Sequence, residues 1–345
     1  MRTLHVVVPE GIDDPRRPSG GNRYDRRVCV ALAHAGWEVV MHEVPWPEGT
    51  GEALAAAIRT IPDRSVVLLD GLVASPADAV LVPEAGRLRQ VVLVHMALGD
   101  EGDAAARRRE AAVLSSAAAV VVTSRWSRDE LMGLYGLPAG SVHVAEPGVD
   151  AAPIAAGTDA GGELLCVATV ARAKGHDVLV DALAGLQEMA WSCTCVGSVD
   201  RDPPFALQLR AAVERAGLSG RVRLAGACSD AELEQLYRAA DLLVHASRAE
   251  TYGMALTEAL AHGLPVVACD VGGIPEALGT TGSGRPGVLV PPGDADALRG
   301  ALRRWLADAR LRARLRAAAA GRRASLPSWP ATAAAVARAC EAAAR

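Results

Sequence analysis

Residues 247–277 read SRAETYGMALTEALAHGLPVVACDVGGIPEA. An apolar run, LLVH at 242–245, leads into them and reads as a buried strand. Residues 248–253 then make a polar turn at the strand's carboxyl end. A helix begins at Gly253 or Met254 and runs to about His262, where Gly263 stops it. A second apolar strand opens with Pro265, and a Gly272–Gly273 turn follows. Strand, helix and strand in this order are the repeating unit of a parallel sheet. The helix start offers unpaired backbone N–H groups and the positive end of its dipole, which suits a diphosphate. Gly253 lets a ligand approach the backbone closely. Glu250 in the turn and Glu258 in the second helical turn can bracket an extended ligand, since carboxylates accept hydrogen bonds from sugar hydroxyls in pairs. A surface position would explain either glutamate alone. It does not explain the glycine, the helix start and the double glycine together.

Outward from this segment the same alternation covers the chain. Short apolar runs at 4–8, 38–41, 66–69, 91–94, 119–122 and 142–145 predict strands, separated by helical stretches such as 22–35, 104–115 and 127–135. Residues 150–162 (DAAPIAAGTDAGG) read as a linker. The alternation then resumes, with strands predicted at 164–168, 192–196, 222–225, 242–245, 266–268 and 288–290. Helices are predicted at 176–186, 205–216, 230–239, 254–261 and 294–318. The expected fold is α/β, with two Rossmann-like doubly wound domains facing across a cleft. Residues 1–152 are expected to form an N-terminal domain and 160–326 a second one. A last helix at 328–345 packs back on the first. Ligands of such sheets sit at the carboxyl ends of the strands.

Composition agrees and excludes much. Half of the 345 residues are hydrophobic, enough for two cores, and Phe205 is the only phenylalanine. The net charge of -4 gives no sign of a nucleic-acid surface. Seven cysteines without a CxxC pair read as reduced, buried thiols, not as a metal site. The start, MRTLHVVVPE, reads as a strand and not a signal peptide, and no run is long enough to span a membrane. A cytoplasmic protein is expected, with oligomeric state open. Lys174 is the only lysine beside 35 arginines (36 basic residues less one), and Asn22 is the only asparagine.

The 247–277 segment resembles the signature of the family-4 retaining glycosyltransferases, which have the glycosyltransferase B fold. Their pattern is Glu-x7-Glu, a helix, a Pro-led strand and a Gly-Gly turn, and Glu250 and Glu258 match the two acids. Further matches run in order along about three hundred residues: Gly20–Gly21 after the first strand, PGVD at 147–150, KGH at 174–176 and PPGD at 291–294. The resemblance implies a retaining transfer from a UDP- or GDP-type sugar to a hydroxyl acceptor, and since no Asp-x-Asp motif stands in a convincing place, neither a metal nor another cofactor is expected. It implies that Glu250 contacts the donor sugar and that Thr251, Tyr252, Gly253, Met254 and Ala255 line the sugar and phosphates. It places Glu258 on the ribose hydroxyls and Lys174 on the diphosphate, where a compact point charge suits. Relatives carry an arginine five residues before that lysine. Here the position is Thr169, and Arg172 is the nearby substitute.

In the first domain Gly20 and Gly21 bring amides near the leaving phosphate, and Asn22 either caps the following helix or touches the acceptor. His95 ends the strand VVLVH at the ligand edge, and the matching family histidine reaches the donor sugar. His5, His34, His42, His143, His245 and His262 are read as structural. Acceptor loops are expected at 11–26, 45–49 and 96–103, the last carrying Asp100. The lean chain suits a small soluble metabolite or natural product. Asp13–Asp14 reads as a solvated turn and not a metal motif. Two rival readings are a non-catalytic sugar- or nucleotide-binding homologue and a dinucleotide-dependent oxidoreductase, although the latter lacks a G-x-G-x-x-G turn.

Overall fold

The computed structural model describes residues 2–14, 19–101 and 103–345, the side chains of Asp100 and Glu101 excepted. The chain divides into two compact units, 1–148 with 327–345, and 149–326.

The first unit runs β1 (Arg2–Pro9), α1 (Gly20–His34), β2 (Trp37–Val44), α2 (Thr50–Thr60), β3 (Val66–Asp70), α3 (Gly71–Ala74), α4 (Asp78–Glu84), β4 (Arg89–Val94), α5 (Ala104–Ser116), β5 (Ala119–Val122), α6 (Arg125–Tyr135) and β6 (Val142–Val144). All strand pairs are parallel, in the order β2-β1-β3-β4-β5-β6. β5 is buried along its whole length, as a strand covered on both faces must be.

The second unit runs β7 (Glu163–Val167), α7 (His176–Ala184), β8 (Ser192–Val196), α8 (Pro203–Arg215), β9 (Val222–Gly226), α9 (Asp230–Ala239), β10 (Leu242–His245), α10 (Met254–Ala261), β11 (Val266–Cys269), α11 (Ile274–Leu278), β12 (Gly287–Val290), α12 (Ala295–Ala307) and α13 (Ala309–Arg323). Its parallel sheet has the order β12-β11-β10-β7-β8-β9. Each strand predicted from the apolar runs is present. The helix expected over 294–318 is instead two. Asp308 leaves helical geometry at φ -111°, ψ 99°, and its carboxylate accepts from the amides of Arg310 and Leu311, capping α13.

The last helix, α14 (Trp329–Ala343), belongs to the first unit. It packs on α1 and over β3 to β6, burying Trp329, Ala333, Val336, Ala339 and Cys340. Gly148 lets it start there, since a Cβ at that position would lie 2.3 Å from the Trp329 nitrogen. The seven cysteines are all free thiols, and six of them are buried.

Candidate active site

In each unit a polar cluster forms at the carboxyl edge of the sheet, beside the point where the strand order reverses. That point lies between β7 and β10 in the second unit and between β1 and β3 in the first. Ligands of open α/β sheets bind at such points.

In the second unit, the loop after β7 carries the 3-10 turn Arg172–Lys174, and the loop after β10 carries Glu250. The two loops are laced together. The Arg248 amide donates to the Ala173 carbonyl at 2.7 Å, and its guanidinium donates to the Arg172 carbonyl and to both oxygens of Asp177. Gly175 has φ 65°, and a Cβ there would lie 2.0 Å from the Ala246 carbonyl oxygen, so only glycine closes the contact. Lys174 Nζ is thereby placed 2.7 Å from Glu250 Oε2. His245 Nε2, from the last residue of β10, lies 3.2 Å from the same oxygen, and Ser247 Oγ lies 3.1 Å from that nitrogen. The Glu250 side chain is 14% exposed. Burial pushes its carboxyl up, but the Lys174 charge and the His245 contact outweigh burial and hold it well below the usual carboxylate range. Glu250 is therefore an ionised acceptor and not an acid.

The double glycine supports this loop from beneath. A Cβ at Gly272 would lie 1.8 Å from the Glu250 carbonyl oxygen, and one at Gly273 would lie 2.2 Å from that of Thr251. The Gly273 amide donates to the Glu250 carbonyl at 3.1 Å. Next along the chain, Gly253 is the N-cap of α10 at φ 98°, with no side chain capping it. The first turn, with Met254 and Ala255, thus begins uncapped by any side chain, and Thr251 precedes it in the loop. Tyr252 is turned into the core beside Leu256. Glu258 lies on the second turn, with Tyr237 Oη 3.0 Å from its Oε2. Arg172 does not join the lysine: its guanidinium donates to Gln208 Oε1 at 2.8 Å and lies over the Phe205 ring, both on α8.

In the first unit His95 follows β4, and its Nε2 lies 2.9 Å from Asp25 Oδ1 on α1 and 3.7 Å from Asp70 Oδ2 at the end of β3. Both carboxylates are buried. Burial pushes the imidazole down, but Asp25 and then Asp70 overcome it and raise His95 to about 9. Asp70 is raised well above the carboxylate range by burial and by the charge of Asp25. Gly21 backs the ring, since a Cβ there would lie 3.1 Å from His95 Cδ2. Gly20 opens α1 and is exposed. Asn22 is not the cap: Ser19 is, its Oγ accepting from the Asn22 amide at 3.0 Å. Asp100 falls in the 3-10 turn Leu98–Glu101, and its side chain lies outside the described residues. Buried Glu110 anchors that turn, accepting from the amides of Leu98 and Gly99, from Ser75 Oγ and from Tyr135 Oη.

Among the described residues, Asp25, Asp70 and His95 are the one trio whose ligand atoms are mutually within 4.8 Å, the spacing a metal ion needs. A proton between Asp25 and His95 accounts for their 2.9 Å contact directly. Asp25, Asp70 and His245 were missed in the sequence. Asp70 and His245 each end an apolar strand at the ligand edge, the same signal that singles out His95. Asp25 falls on the helical face of Gly21, Val28 and Leu32.

A profile of the glycosyl transferases group 1 family matches residues 159–322. The chain is 30% identical to the D-inositol 3-phosphate glycosyltransferase of Xylanimonas cellulosilytica over 350 residues, covering 92% of this chain and 76% of that one. Against other curated relatives it spans about half their length, 49% and 48% in two cases. Among solved structures, sucrose-phosphate synthase from Thermosynechococcus elongatus superposes with a TM-score of 0.83 at 22% identity, over 98% of both chains. Anabaena HepE in complex with UDP-glucose gives 0.80 at 19% identity, over 98% of this chain and 99% of that one. These neighbours share the two-domain α/β fold of the present chain. Among the described residues, no helix is long and apolar enough to cross a membrane.

Proposed function

The chain belongs to the group 1 glycosyl transferases, and from that membership we propose a retaining, metal-independent enzyme that moves a sugar from a UDP- or GDP-type donor to a hydroxyl of a small acceptor. One observation carries the reading. The sole lysine is ion-paired at 2.7 Å with the first glutamate of the signature, at the topological switch point and beside a helix start that no side chain caps.

Each part has a role in such a transfer. Lys174 and the first-turn amides of α10 offset the charge that grows on the departing diphosphate, a preorganised electrostatic contribution. Glu250, held ionised and with Oε2 occupied by Lys174 and His245, offers Oε1 to the donor sugar's hydroxyls. Glu258 takes the ribose hydroxyls, and His95 has the donor sugar as its partner. The Glu250 carboxylate is tied up as an acceptor, so the leaving phosphate itself takes the acceptor's proton while the acceptor attacks from the same face. The diphosphate has Lys174 as its side-chain cation, and Arg172 joins it only after leaving Gln208. The relative's name carries D-inositol 3-phosphate, and a small hydroxyl-rich acceptor is proposed here too.

The test is thermal stabilisation by UDP, GDP, ADP and TDP, with NAD as a control, each with and without EDTA. Tight binding raises the melting temperature by mass action. A shift with UDP or GDP that survives EDTA and disappears in Lys174→Ala is expected. A shift with NAD alone, or turnover abolished by EDTA and restored by magnesium, sinks the proposal.

A further inference from the structure

The first-unit cluster is more elaborate than a histidine contacting a sugar requires. One imidazole nitrogen is held by Asp25 at 2.9 Å with Asp70 3.7 Å away, two carboxylates from two different elements, both removed from water. Beneath them is a void lined by Val6, Val8, Val28, Leu68 and Leu93, with no room for a water molecule. Asp25 Oδ2 is buried there and has no hydrogen-bond partner so long as both carboxyls are ionised. Asp70 Oδ1 is occupied by the Leu72 amide at 2.6 Å.

Charge counting resolves the arrangement. Two ionised carboxylates beside a neutral imidazole would leave two uncompensated charges in an apolar, dry setting, which is severely unfavourable. Two protons shared among the three groups make the cluster neutral. One sits on His95 and makes it an imidazolium. The other sits on Asp70 and gives Asp25 Oδ2 its missing donor. The ionised Asp25 then binds the imidazolium through Oδ1 and accepts from Asp70 through Oδ2. Among the described residues, Tyr24 lies edge-on to the His95 ring, and Cys29 faces the same void, its thiol pushed up to about 12 by burial and by the neighbouring Asp25 and Asp13. Neither supplies a competing charge.

We propose that Asp25 and Asp70 are positioning residues for glycosyl transfer, Asp25 clamping His95 Nε2 and Asp70 holding Asp25 through its other oxygen, so that the ring stays charged and presents its Nδ1–H as a fixed donor to the sugar. This rests on the proposed role of His95 at the donor. A charged donor makes a shorter and stronger hydrogen bond than a neutral one. With Nε2 committed to Asp25, the charge and the ring rotation are both fixed before substrate arrives, as in other orienting pairs.

The clamp is read without substrate by 15N-resolved NMR of the histidine rings on the intact chain, with His95→Asn identifying the His95 signals. In the native chain the His95 nitrogens should keep imidazolium shifts past pH 8. In Asp25→Asn the midpoint should fall by at least one pH unit, whereas Asp70→Asn, which keeps a neutral donor to Asp25 Oδ2, should leave it nearly in place. With an active donor, Asp25→Asn should lower kcat at pH 7.5 about tenfold or more, with donor KM within a factor of about two. Its kcat should fall as pH rises through the new midpoint, and Asp25→Glu should recover part of the loss. A His95 ring that is neutral at pH 7 in the native chain overturns the clamp. So does an Asp25→Asn chain, folded by its melting curve, whose His95 midpoint and pH–kcat profile match the native ones. If Asp25→Asn does not fold, Asp25→Ser carries the same two readouts. A native chain that shows the raised His95 midpoint yet transfers no sugar from any nucleotide donor fails on the enzymatic reading alone.

Discussion

At the scale of residues, the functional groups are held by charge pairs that depend on each other. Glu250 is mostly buried, and Lys174 is its principal counter-charge. Removing the lysine leaves a buried carboxylate with only His245 beside it, which costs more than the pair contributes. Lys174→Met should therefore destabilise the chain by about 2–3 kcal/mol. Lys174→Met combined with Glu250→Gln should recover part of that, as denaturant melts of the four chains would show. A double variant no more stable than the single one would mean that the carboxylate is relieved elsewhere. The two clusters also differ in their pH signs. Glu250 is held below its unfolded value, so its contribution is complete above the ordinary carboxylate range and is lost only as pH falls toward the depressed folded value. His95 is raised to about 9, so its contribution is complete below its unfolded value near 6.5 and is lost as pH rises from there through 9. Stability should thus fall by on the order of 3 kcal/mol between about pH 6.5 and 9. His95→Asn should flatten that limb in a pH series of melts.

At the scale of elements, the strands were legible and the turns only in part. Most strands are short apolar runs bounded by turn residues, as parallel strands buried on both faces must be, while the edge strands β2 and β9 carry Glu38, Glu43 and Arg223 and showed only through their apolar residues. The 294–318 helix was misread because its pattern is continuous across Asp308. Only the cap bonds to Arg310 and Leu311 show that the aspartate ends one helix and starts another. The short α3 and α11 were not anticipated, since neither is long enough to show a period. For the site, the residues at strand ends were readable, and the rule that found His95 applied equally to His245 and Asp70. Asp25 was less so, because an aspartate on an apolar helix face has meaning only once its partner is known. The Gly-Gly turn is the clearest gain from the structure, since it shapes the Glu250 loop through backbone contact. Gly272→Ala would place a Cβ 1.8 Å from the Glu250 carbonyl oxygen at φ 57°. It should cost about 2 kcal/mol or more and most of the turnover, while Gly282→Ala, which meets nothing within 4 Å, should do neither. Equal melts and rates for the two variants would show that the loop relaxes freely.

At the scale of the whole molecule, the two units have separate cores, and the first is discontinuous in sequence. Deleting 327–345 removes Trp329, Ala333, Val336, Ala339 and Cys340 from the first unit and nothing from the second. Calorimetry of that truncation should show the transition of the first unit lost or moved far down, with the transition of residues 149–326 in place. Loss of both together would show that the second unit cannot stand without the first.

The closing helix also sets a timetable. A ribosome that has finished β6 at Val144 must still add 199 residues, 343 less 144, before Ala343 and the rest of α14 exist. At roughly 5–20 residues per second that is a delay of about 10–40 s. Throughout that interval the nascent first unit has its strands but not the helix that covers β3 to β6, so an apolar sheet face stays open to whatever the cell presents. The second unit, synthesised inside that interval, has every one of its own elements to hand once residue 326 emerges. The part made first is therefore completed last, and an incompletely synthesised chain carries a mature second unit on an unfinished first.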